Sequence, residues 1–375
     1  MEKSTRSNSK IRVLFPFVGD TVGGSHISAV TLIKNLPKDV EPIVAVFQEG
    51  KLTEYLNQMN VEWLICRELE CHSRLRKNIW SSFVSIFKYK RFLKKIETDI
   101  VHTNDIRMHV SWLLPVFFSK VKHLWHQRTP GGKSLILSCL ASARVANSLY
   151  CKQSTPLAVR KLFIQVDNPI LLSECEDINL RALFNLSKKT VVVSWVANLI
   201  ERKRLDRALR AIARFRKMYD TPIALFIYGE KREPVFSEMK NLTSTLAIED
   251  SVFFMGSKYP IESWLQSSDV LLATAEVEAL GRALIEAMQL EVPVIASRAL
   301  GHREVLQESD LGILVKDDDN EEEYCKSIKF LIDNPKMKKQ LVDNAKKHAF
   351  DKYSAEKHAL RISNVYHDLV SYVKR

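Results

Sequence analysis

The feature that most constrains the fold is a repeated alternation of short apolar runs with longer segments of helical periodicity. In the first half, IRVLFPFV (11–18) is followed by SHISAVTLIKNL, EPIVAVF and DIVHTND. In the second half, the apolar runs are TVVVSWVANL, PIALFIYGE, SVFFMG, DVLLAT and VPVIAS. Near-continuous apolar strands separated by helices are typical of parallel sheets that are covered on both faces. The two sets therefore predict an α/β protein with two doubly wound, Rossmann-like domains.

Length and turn signals predict how the two sets are divided. A chain of 375 residues accommodates two domains of ordinary size. The stretch VDNPI (166–170) contains Asp-Asn-Pro, a combination that favours a turn. We therefore expect a disordered tail at residues 1–10, a first domain at 11–170 and a second domain at 171–353.

Three absences in the sequence favour a cytoplasmic protein. The longest apolar stretch, at 110–118, is too short to span a bilayer. The start, MEKSTRSNSK, lacks the apolar region of a secretory signal. The cysteines form no CxxC pair, so we expect reduced thiols with neither disulfides nor a zinc site. They are Cys66, Cys71, Cys139, Cys151, Cys175 and Cys325.

The positive charge is concentrated in the first half of the chain. The net charge is +12, and residues 1–170 hold 25 Lys and Arg against 13 Asp and Glu. Residues 171–375 hold 31 of each kind. The first domain is therefore expected to face an anionic partner.

A basic and aromatic segment at 73–97, SRLRKNIWSSFVSIFKYKRFLKKIE, is the strongest candidate for that surface. Its spacing predicts an amphipathic helix suited to an anionic membrane. Nucleic acid is a competing partner, but no recognised binding motif accompanies the segment. A core helix with a charged face is the structural alternative. The candidate surface residues are Arg74, Arg76, Lys77, Trp80, Lys88, Lys90, Arg91, Lys94 and Lys95.

The stretch LATAEVEALGRALIEAMQLEVPVIAS (272–297) places two carboxylates around a glycine. It predicts a strand at 270–273, a helix at 281–290 and a strand at 292–296. A helix that begins at Gly281 offers backbone N–H groups to an anion. Glu278 is placed to accept hydrogen bonds from sugar hydroxyls, and Glu286 suits a ribose diol. Taken alone, however, the spacing of Arg282, Glu286 and Gln289 favours a solvated helix face.

Two further groups of residues follow predicted strands. Three basic residues, Arg202, Lys203 and Arg204, follow a predicted buried strand. Their position suits a diphosphate, although a basic amphipathic helix is the plainer interpretation. His126 ends an apolar strand in the first half, where a structural histidine is the alternative. Several glycines also mark strand ends, where doubly wound sheets bind ligands. They are Gly23, Gly24, Gly229, Gly256, Gly281 and Gly301.

The combined pattern resembles the retaining nucleotide-sugar glycosyltransferases of family four, which have the GT-B fold. The resemblance runs from about residue 11 to at least residue 314. It rests on VANLIERK, LFIYGE, VFFMGS and above all EALGRALIEAMQLEVPVIASRALGHREVL, which contains a Glu-x7-Glu motif. The family implies an acceptor-binding first domain, a donor-binding second domain and a site in the cleft between them. It also implies that a last helix, at 354–375, crosses back to the first domain.

The resemblance implies roles for particular residues. Glu278 would contact the donor sugar, Glu286 the ribose, and Lys203 the departing diphosphate. The backbone at Leu280, Gly281 and Arg282 would approach the sugar and the diphosphate. In the first domain, Gly24 would let the first loop approach the phosphates, and His126 would lie beside the reacting sugar.

Several positions depart from the family pattern. Ala197 and Asn198 stand where the family often has glycine and arginine, so a phosphate-binding cation is missing. Asn198 is still a candidate donor-binding residue, and Arg202 is a candidate substitute for the cation. Lys231 stands at the second glycine-rich position beyond Gly229, so contacts there are left open. Leu280 replaces a common phenylalanine, and His302 replaces a common glycine. These departures bear on the identity of the donor more than on the fold.

The expected activity is retaining, metal-independent transfer of a sugar from a UDP- or GDP-sugar to a hydroxyl group, with no cofactor. The expected acceptor is lipid-linked or saccharide, and the setting is polysaccharide or lipopolysaccharide assembly at the inner face of the cell membrane. A nucleotide-sugar epimerase or hydrolase of the same fold is one alternative. A nucleotide-sugar-binding protein without catalysis is another, and a nucleic-acid partner is not expected.

Overall fold

The computed structural model of the chain describes residues 10–66, 69, 86–131, 133–172, 176, 178–307 and 310–371. Its contacts divide the chain into two compact units. The first is formed by Met1–Pro169 with Tyr353–Arg375, and the second by Ile170–Lys352. The tail up to residue 9 and the predicted surface residues Arg74, Arg76, Lys77 and Trp80 lie outside the described residues, so those assignments stay predictions.

The first unit is built on a parallel sheet. Its described residues form seven strands in the order β3-β2-β1-β4-β5-β6-β7. All neighbouring strands in this order run parallel. The strands are β1 (Ile11–Phe17), β2 (Val40–Val46), β3 (Leu64–Ile65), β4 (Ile100–Thr103), β5 (Lys122–Gln127), β6 (Ala143–Ala146) and β7 (Phe163–Gln165).

Helices connect these strands. They are α1 (Gly24–Lys34), α2 (Lys51–Gln58), α3 (Ile86–Lys95), α4 (Ile106–Phe117), α5 (Leu149–Gln153) and α6 (Leu157–Arg160), with a 3₁₀ segment at Lys133–Leu140. The start of α4 is fixed by Asp105, whose carboxylate accepts hydrogen bonds from the N–H groups of Arg107 and Met108 at 2.9 and 3.1 Å. This side chain satisfies two of the N–H groups that every helix leaves free at its first turn.

The second unit repeats this architecture. Its described residues form six parallel strands in the order β10-β9-β8-β11-β12-β13. They are β8 (Val191–Val196), β9 (Ile223–Tyr228), β10 (Val252–Gly256), β11 (Val270–Ala273), β12 (Val294–Ala296) and β13 (Ile313–Leu314). The order of the six strands is that of the dinucleotide-binding Rossmann fold, in which the direction of winding reverses next to the first strand.

The helices of the second unit begin with α7 (Leu180–Leu183). They continue as α8 (Leu205–Met218), α9 (Val235–Thr245), α10 (Glu262–Leu265), α11 (Arg282–Gln289), α12 (Leu300–Leu306), α13 (Glu321–Asp333) and α14 (Pro335–Tyr353). Short 3₁₀ turns lie at Glu201–Lys203 and Glu249–Ser251. The last helix, α15 (Ala355–Ser371), belongs to the first unit.

The first sheet is covered on both faces, as its apolar strands require. Val13 and Phe15 of β1 share a buried cluster with Ile362 and Tyr366 of α15. Leu14, which points to the opposite face, belongs to a cluster that includes Trp112 of α4. Alternate residues of a strand point to opposite faces of the sheet, so a strand buried on both sides needs apolar residues throughout.

The second sheet shows the same burial. Val193 and Trp195 of β8 pack with Leu205 and Ile212 of α8 in one cluster. Val192 faces the other way, into a cluster with residues of α7 and β9. The predicted fold class, two Rossmann-like α/β domains with parallel sheets, is confirmed.

The structure bears on the expectations about the cysteines and about membrane-spanning segments. Cys66, Cys139, Cys151 and Cys325 are free thiols, whereas Cys71 and Cys175 lie outside the described residues. Among the described residues, no helix combines the length and the apolar character needed to cross a bilayer.

Gly229, directly after β9, occupies a position that only glycine fits. Its φ of +150° is rare for residues with a side chain. A Cβ atom added there would lie 1.8 Å from the carbonyl oxygen of Ala197, which follows β8. Gly256, at the end of β10, also has a positive φ, of +69°, but a Cβ there would meet nothing within 4 Å.

The substitutions Gly229→Ala and Gly256→Ala separate the cost of a side chain at positive φ from the cost of a steric clash with the neighbouring loop. Gly256→Ala should lower the free energy of unfolding by about 1–2 kcal/mol, the cost of a left-handed backbone with a side chain. Gly229→Ala should cost at least about 2 kcal/mol more, because the backbone of the neighbouring loop must move. Urea denaturation of both variants measures the difference. Equal stabilities would contradict the close approach of the two loops.

Candidate active site

The candidate site lies where the winding of the second sheet reverses. β8 and β11 are adjacent and parallel, so the segments that follow them emerge side by side. Lys203 ends the 3₁₀ turn between β8 and α8, and Glu278 lies between β11 and α11. Ligands of doubly wound sheets bind beyond the carboxyl ends of the strands at such a reversal.

Lys203 and Glu278 form an ion pair at this point. The Lys203 ammonium bonds one carboxylate oxygen of Glu278, and the N–H of Ala279 donates to the other at 2.9 Å. Only 17% and 19% of the two side chains are exposed. Burial opposes ionisation of Glu278, but its neighbours together, Lys203 first among them, hold the pKa of Glu278 below the usual glutamate value. The structure thus brings two predicted site residues into direct contact.

Gly281 turns the chain into α11 beside this pair. Its φ of +82° and ψ of 53° are left-handed, and it precedes the first helical residue. A cavity of about 20 Å³ is lined by Lys203, Glu278, Gly281 and His302, among others. This volume holds roughly one water-sized group. The N–H groups of the first turn of α11 therefore begin next to a small, mainly apolar cavity that Lys203, Glu278 and His302 also line.

The solvated helix face that the spacing of α11 favours is not what the structure shows. Arg282 donates a hydrogen bond of 3.0 Å to Glu286, whose side chain is only 13% exposed. Gln289 is buried and donates to the carbonyl oxygen of Ile170. Burial raises the pKa of Glu286, and nearby Glu262 adds to the effect while Arg282 opposes it. The interpretation as a solvated face is therefore wrong for Glu286 and Gln289.

Thr274 ties the two strand exits together. Its hydroxyl lies 2.7 Å from the carbonyl oxygen of Arg204 and 3.2 Å from that of Lys203. The hydroxyl oxygen of Thr274 also accepts a hydrogen bond of 3.0 Å from the indole N–H of Trp195. Because Thr274 follows β11 directly, its side chain fixes the loop that carries Lys203 to the neighbouring strand.

The acidic run KDDDNEEEY at 316–324, which follows β13, also contacts the segment that carries Lys203. Asp319 accepts a hydrogen bond of 2.9 Å from the buried Arg207 and one of 3.3 Å from Arg204. Arg207 also donates to the carbonyl oxygen of Thr274 at 3.2 Å. The carboxylate of Asp318 accepts from the N–H of Arg298, after β12, at 2.7 Å. The acidic run therefore links segments that follow four strands.

Two predicted donor-binding residues, Asn198 and Arg202, do not line the Lys203 cavity. Asn198 is exposed, and its amide oxygen accepts from the N–H of Glu230 at 3.2 Å. Arg202 is exposed along a separate cavity of about 400 Å³ that Glu276 also lines. A role for Arg202 as the substitute cation stays a prediction.

The other predicted donor contacts are placed as follows. Leu280 is buried, so its predicted contact with the donor stays a prediction. Gly24 is exposed and begins α1 in the first unit. Gly23 before it donates its N–H to the Nδ1 atom of His26 at 3.1 Å.

His126, near the end of β5, lies in a buried polar network of the first unit. Its Nδ1 atom is 3.0 Å from Nε2 of His102 and 3.3 Å from the guanidinium of Arg128. Nδ1 of His102 lies 2.5 Å from the hydroxyl of Tyr366 on α15. Nε2 of His126 is buried and has no hydrogen-bond partner among the described residues. Burial, reinforced by Arg128, lowers the pKa of both histidines well below the usual value.

The predicted basic surface of α3 is exposed where the structure describes it. Lys88, Lys90, Arg91, Lys94 and Lys95 all face solvent, whereas Tyr89 and Leu93 are buried. Phe87 is 80% exposed on the same helix. Phe117 and Phe118, at the end of α4, are also exposed. Phe118 lines a groove with Lys90, Lys94 and Lys120, which Glu97 and Asp99 also line.

Two residues that support the candidate site carry no signal that the sequence interpretation used. Thr274 is an isolated threonine after a strand, and Arg207 lies in a basic amphipathic helix. In the first unit, His102 belongs to VHTND, a polar end to an apolar strand, which is a usable signal. Among the described residues, no group of three or more His, Cys, Asp and Glu side chains could hold a metal ion.

The comparison with protein families concerns the second unit. Residues 177–348, which contain Lys203, Glu278 and Glu286, match the family model of glycosyl transferases group 1. N-acetyl-alpha-D-glucosaminyl L-malate synthase of Bacillus anthracis is 27% identical over 191 residues, which are 51% of this chain and 49% of that protein. The lipopolysaccharide glucosyltransferase WaaG of Escherichia coli is 23% identical over 148 residues, 40% of this chain and 39% of that one. The chain spans about half the length of these curated relatives.

Solved structures extend the likeness to nearly the whole chain. Anabaena HepE in complex with UDP and glucose superposes with a TM-score of 0.78, covering 96% of this chain and 100% of that one. At 18% identity this likeness shows the fold, which is GT-B. The family match and the fold together support a glycosyltransferase.

Thr274→Val should test the link between the two strand exits. Valine keeps the shape but leaves the Trp195 N–H and the Arg204 carbonyl without their buried partner, which should lower the free energy of unfolding by about 3 kcal/mol. Thr274→Ser keeps the hydroxyl and should cost only about 1 kcal/mol for the lost methyl group. Urea denaturation distinguishes them, and a valine variant as stable as the serine variant would exclude the proposed link.

Proposed function

We propose that this protein transfers a sugar from a nucleoside diphosphate sugar to a hydroxyl group of an acceptor, with retention of configuration. The observation that carries the proposal is the Lys203–Glu278 pair beside the first turn of α11. It lies at the reversal point of the second sheet and inside the region that matches glycosyl transferases group 1.

The donor, a UDP- or GDP-sugar, would be held along this stretch. The diphosphate would lie against Lys203 and the N–H groups at the start of α11, where the helix dipole favours an anion. Glu286 would accept hydrogen bonds from the ribose, and Glu278 from the sugar. The backbone at Leu280, Gly281 and Arg282 would border the sugar and the diphosphate. Gly24 and His126 would contribute from the first unit.

The ion pair suggests how binding proceeds. Lys203 is held by a single carboxylate in the structure. A diphosphate carries more negative charge than a carboxylate, so it would compete for the ammonium group. Glu278 would then be released to accept hydrogen bonds from the sugar. Donor binding would thus replace the Lys203–Glu278 pair by a Lys203–diphosphate pair, and the Glu278 carboxylate would keep the hydrogen bond from the Ala279 N–H while it gains those of the sugar.

The chemistry would be a front-face displacement. The bond from the anomeric carbon to the phosphate oxygen breaks as the bond to the acceptor oxygen forms on the same face. The acceptor proton passes to an oxygen of the leaving phosphate. Lys203 and the N–H groups of α11 would stabilise the charge that develops on the diphosphate, with neither metal nor cofactor.

Lys203→Ala should lower kcat by about 10²–10³-fold, because it removes the cation facing the leaving group. Lys203→Arg should retain part of the activity, and Lys217→Ala, an exposed lysine of α8, should retain all of it. Donors are first found by thermal shift with nucleoside diphosphate sugars, and products are then analysed with lipid-linked and saccharide acceptors.

The outcomes separate the alternatives. Donor consumption that needs no acceptor would indicate a hydrolase or an epimerase. Binding without turnover would indicate a binding protein. No response to any nucleoside diphosphate sugar, or near-normal kcat in Lys203→Ala, would overturn the proposed mechanism.

We further propose that the acceptor is lipid-linked or saccharide and is met at an anionic membrane, in polysaccharide or lipopolysaccharide assembly. The name of the relative WaaG supports this setting. The exposed basic residues of α3, with Phe87, Phe117 and Phe118, offer both charge attraction and aromatic groups suited to a bilayer interface. The protein would then be peripheral at the inner membrane face, with no nucleic-acid partner.

Vesicle sedimentation tests this surface. Lys90→Ala with Lys94→Ala should weaken binding to phosphatidylglycerol vesicles by roughly tenfold or more, since each cation near an anionic surface contributes about 1 kcal/mol. Lys336→Ala with Lys339→Ala, on α14 of the second unit, is a control of equal charge. If the wild-type protein does not bind anionic vesicles at any ionic strength, the proposal that this surface binds a membrane is excluded.

A further inference from the structure

His302 occupies the floor of the small cavity beside the Lys203–Glu278 pair. It lies in α12 and is 1% exposed. Its Cδ2 atom is 3.2 Å from the position that a Cβ on Gly281 would take. The edge of the imidazole that carries Cδ2 and Nε2 therefore faces the turn that begins α11, and the ring lines the same cavity as Lys203 and Glu278.

The hydrogen bonds of Ser297 determine which ring nitrogen carries the proton. The Ser297 hydroxyl has one hydrogen, which it donates to the carbonyl oxygen of Ala275. Nδ1 of His302 lies 3.0 Å from this hydroxyl oxygen and 3.2 Å from the Ser297 carbonyl oxygen, so Nδ1 must be the donor. Burial lowers the pKa of His302 to about 4, which leaves the ring neutral near pH 7. Nε2 is then a hydrogen-bond acceptor.

The cavity limits what Nε2 can accept from. Its volume of about 20 Å³ admits one water-sized group, not a ring. The other lining residues with polar side-chain groups are Lys203, Glu278, Thr274 and Trp195. The Thr274 hydroxyl and the Trp195 N–H already bond each other, and Thr274 also bonds backbone carbonyls, whereas Lys203 and Glu278 carry the charges. A hydroxyl group matches this volume, and it can donate to an acceptor while its oxygen faces a cation.

We infer that the cavity receives a single hydroxyl group of the donor sugar, which donates its hydrogen to Nε2 of His302 beside Glu278. This inference rests on the proposed function and makes His302 a specificity-determining residue. The donor would be a sugar with a free hydroxyl on the carbon that reaches the cavity. A deoxy sugar would leave Nε2 without a partner, and an N-acetyl or phosphate substituent on that carbon would be too large to enter.

Donor analogues test the inference in the wild-type protein first. We would use UDP-glucose with its 2-, 3-, 4- and 6-deoxy and deoxyfluoro analogues, or the same series of the nucleoside diphosphate hexose that the donor screen identifies. Removal of one hydroxyl should lower kcat/KM by about tenfold to a hundredfold, because a buried acceptor loses its partner. The fluoro analogue at that carbon should lose as much, since fluorine cannot donate a hydrogen bond.

His302 variants then assign the effect to this side chain. In His302→Ala and His302→Asn, kcat/KM for UDP-glucose should fall by about the same factor as removal of the hydroxyl causes in wild type. In these variants, kcat/KM for the deoxy analogue at that carbon should lie within about threefold of the value for UDP-glucose. Melting temperature and the affinity for UDP report whether the fold and the diphosphate contacts survive the substitution. A merely structural histidine would change these two values and would leave the penalty for the deoxy analogue intact.

The possible failures are distinct. If no nucleoside diphosphate sugar binds or turns over, the proposed function fails and the inference fails with it. If turnover is observed but no deoxy analogue is penalised, the inference alone is wrong. The inference is also wrong if the penalty is the same in wild type and in both His302 variants, because the hydroxyl would then be held by another group.

Discussion

The parallel pairing of β8 with β11 is the constraint on which the candidate site depends. It brings together two segments 75 residues apart in sequence, so that a lysine after one strand meets a carboxylate after the other. The contact between them is half-buried, and at such positions an unpaired charge would be costly. The same pairing allows one threonine hydroxyl to reach the backbone of the neighbouring exit. Site and sheet are therefore stabilised by the same contacts.

The elements could be predicted from the sequence because burial on both faces leaves a local signature. Val191–Val196 is apolar throughout except for Ser194, and the predicted strand at 270–273 has the bounds of β11. The site was harder to predict, because its charges are paired across long separations. Arg207 belongs to a basic amphipathic helix, yet it is buried because Asp319, 112 residues away, accepts its hydrogen bonds. Nothing within either segment indicates that partner.

The polar residues of α11 also show that a local pattern does not predict tertiary contacts. Helical spacing correctly puts Arg282 and Glu286 on one face, but spacing does not reveal what covers that face. The buried Gln289 donates to the carbonyl oxygen of Ile170, and burial raises the pKa of Glu286, with nearby Glu262 adding to the effect. A periodic pattern fixes which residues share a side. Only the tertiary neighbours decide whether that side is wet or dry.

The position of α15 in the first unit has a consequence for how the protein is made. The second unit is continuous in sequence and is inserted between two parts of the first. A ribosome therefore completes every residue of the second unit before it produces Ile362 and Tyr366, which cover one face of the first sheet. Domains usually fold in order during synthesis. Here one apolar face of the first sheet stays incompletely covered until α15 has been synthesised, whereas the second unit is able to fold before that.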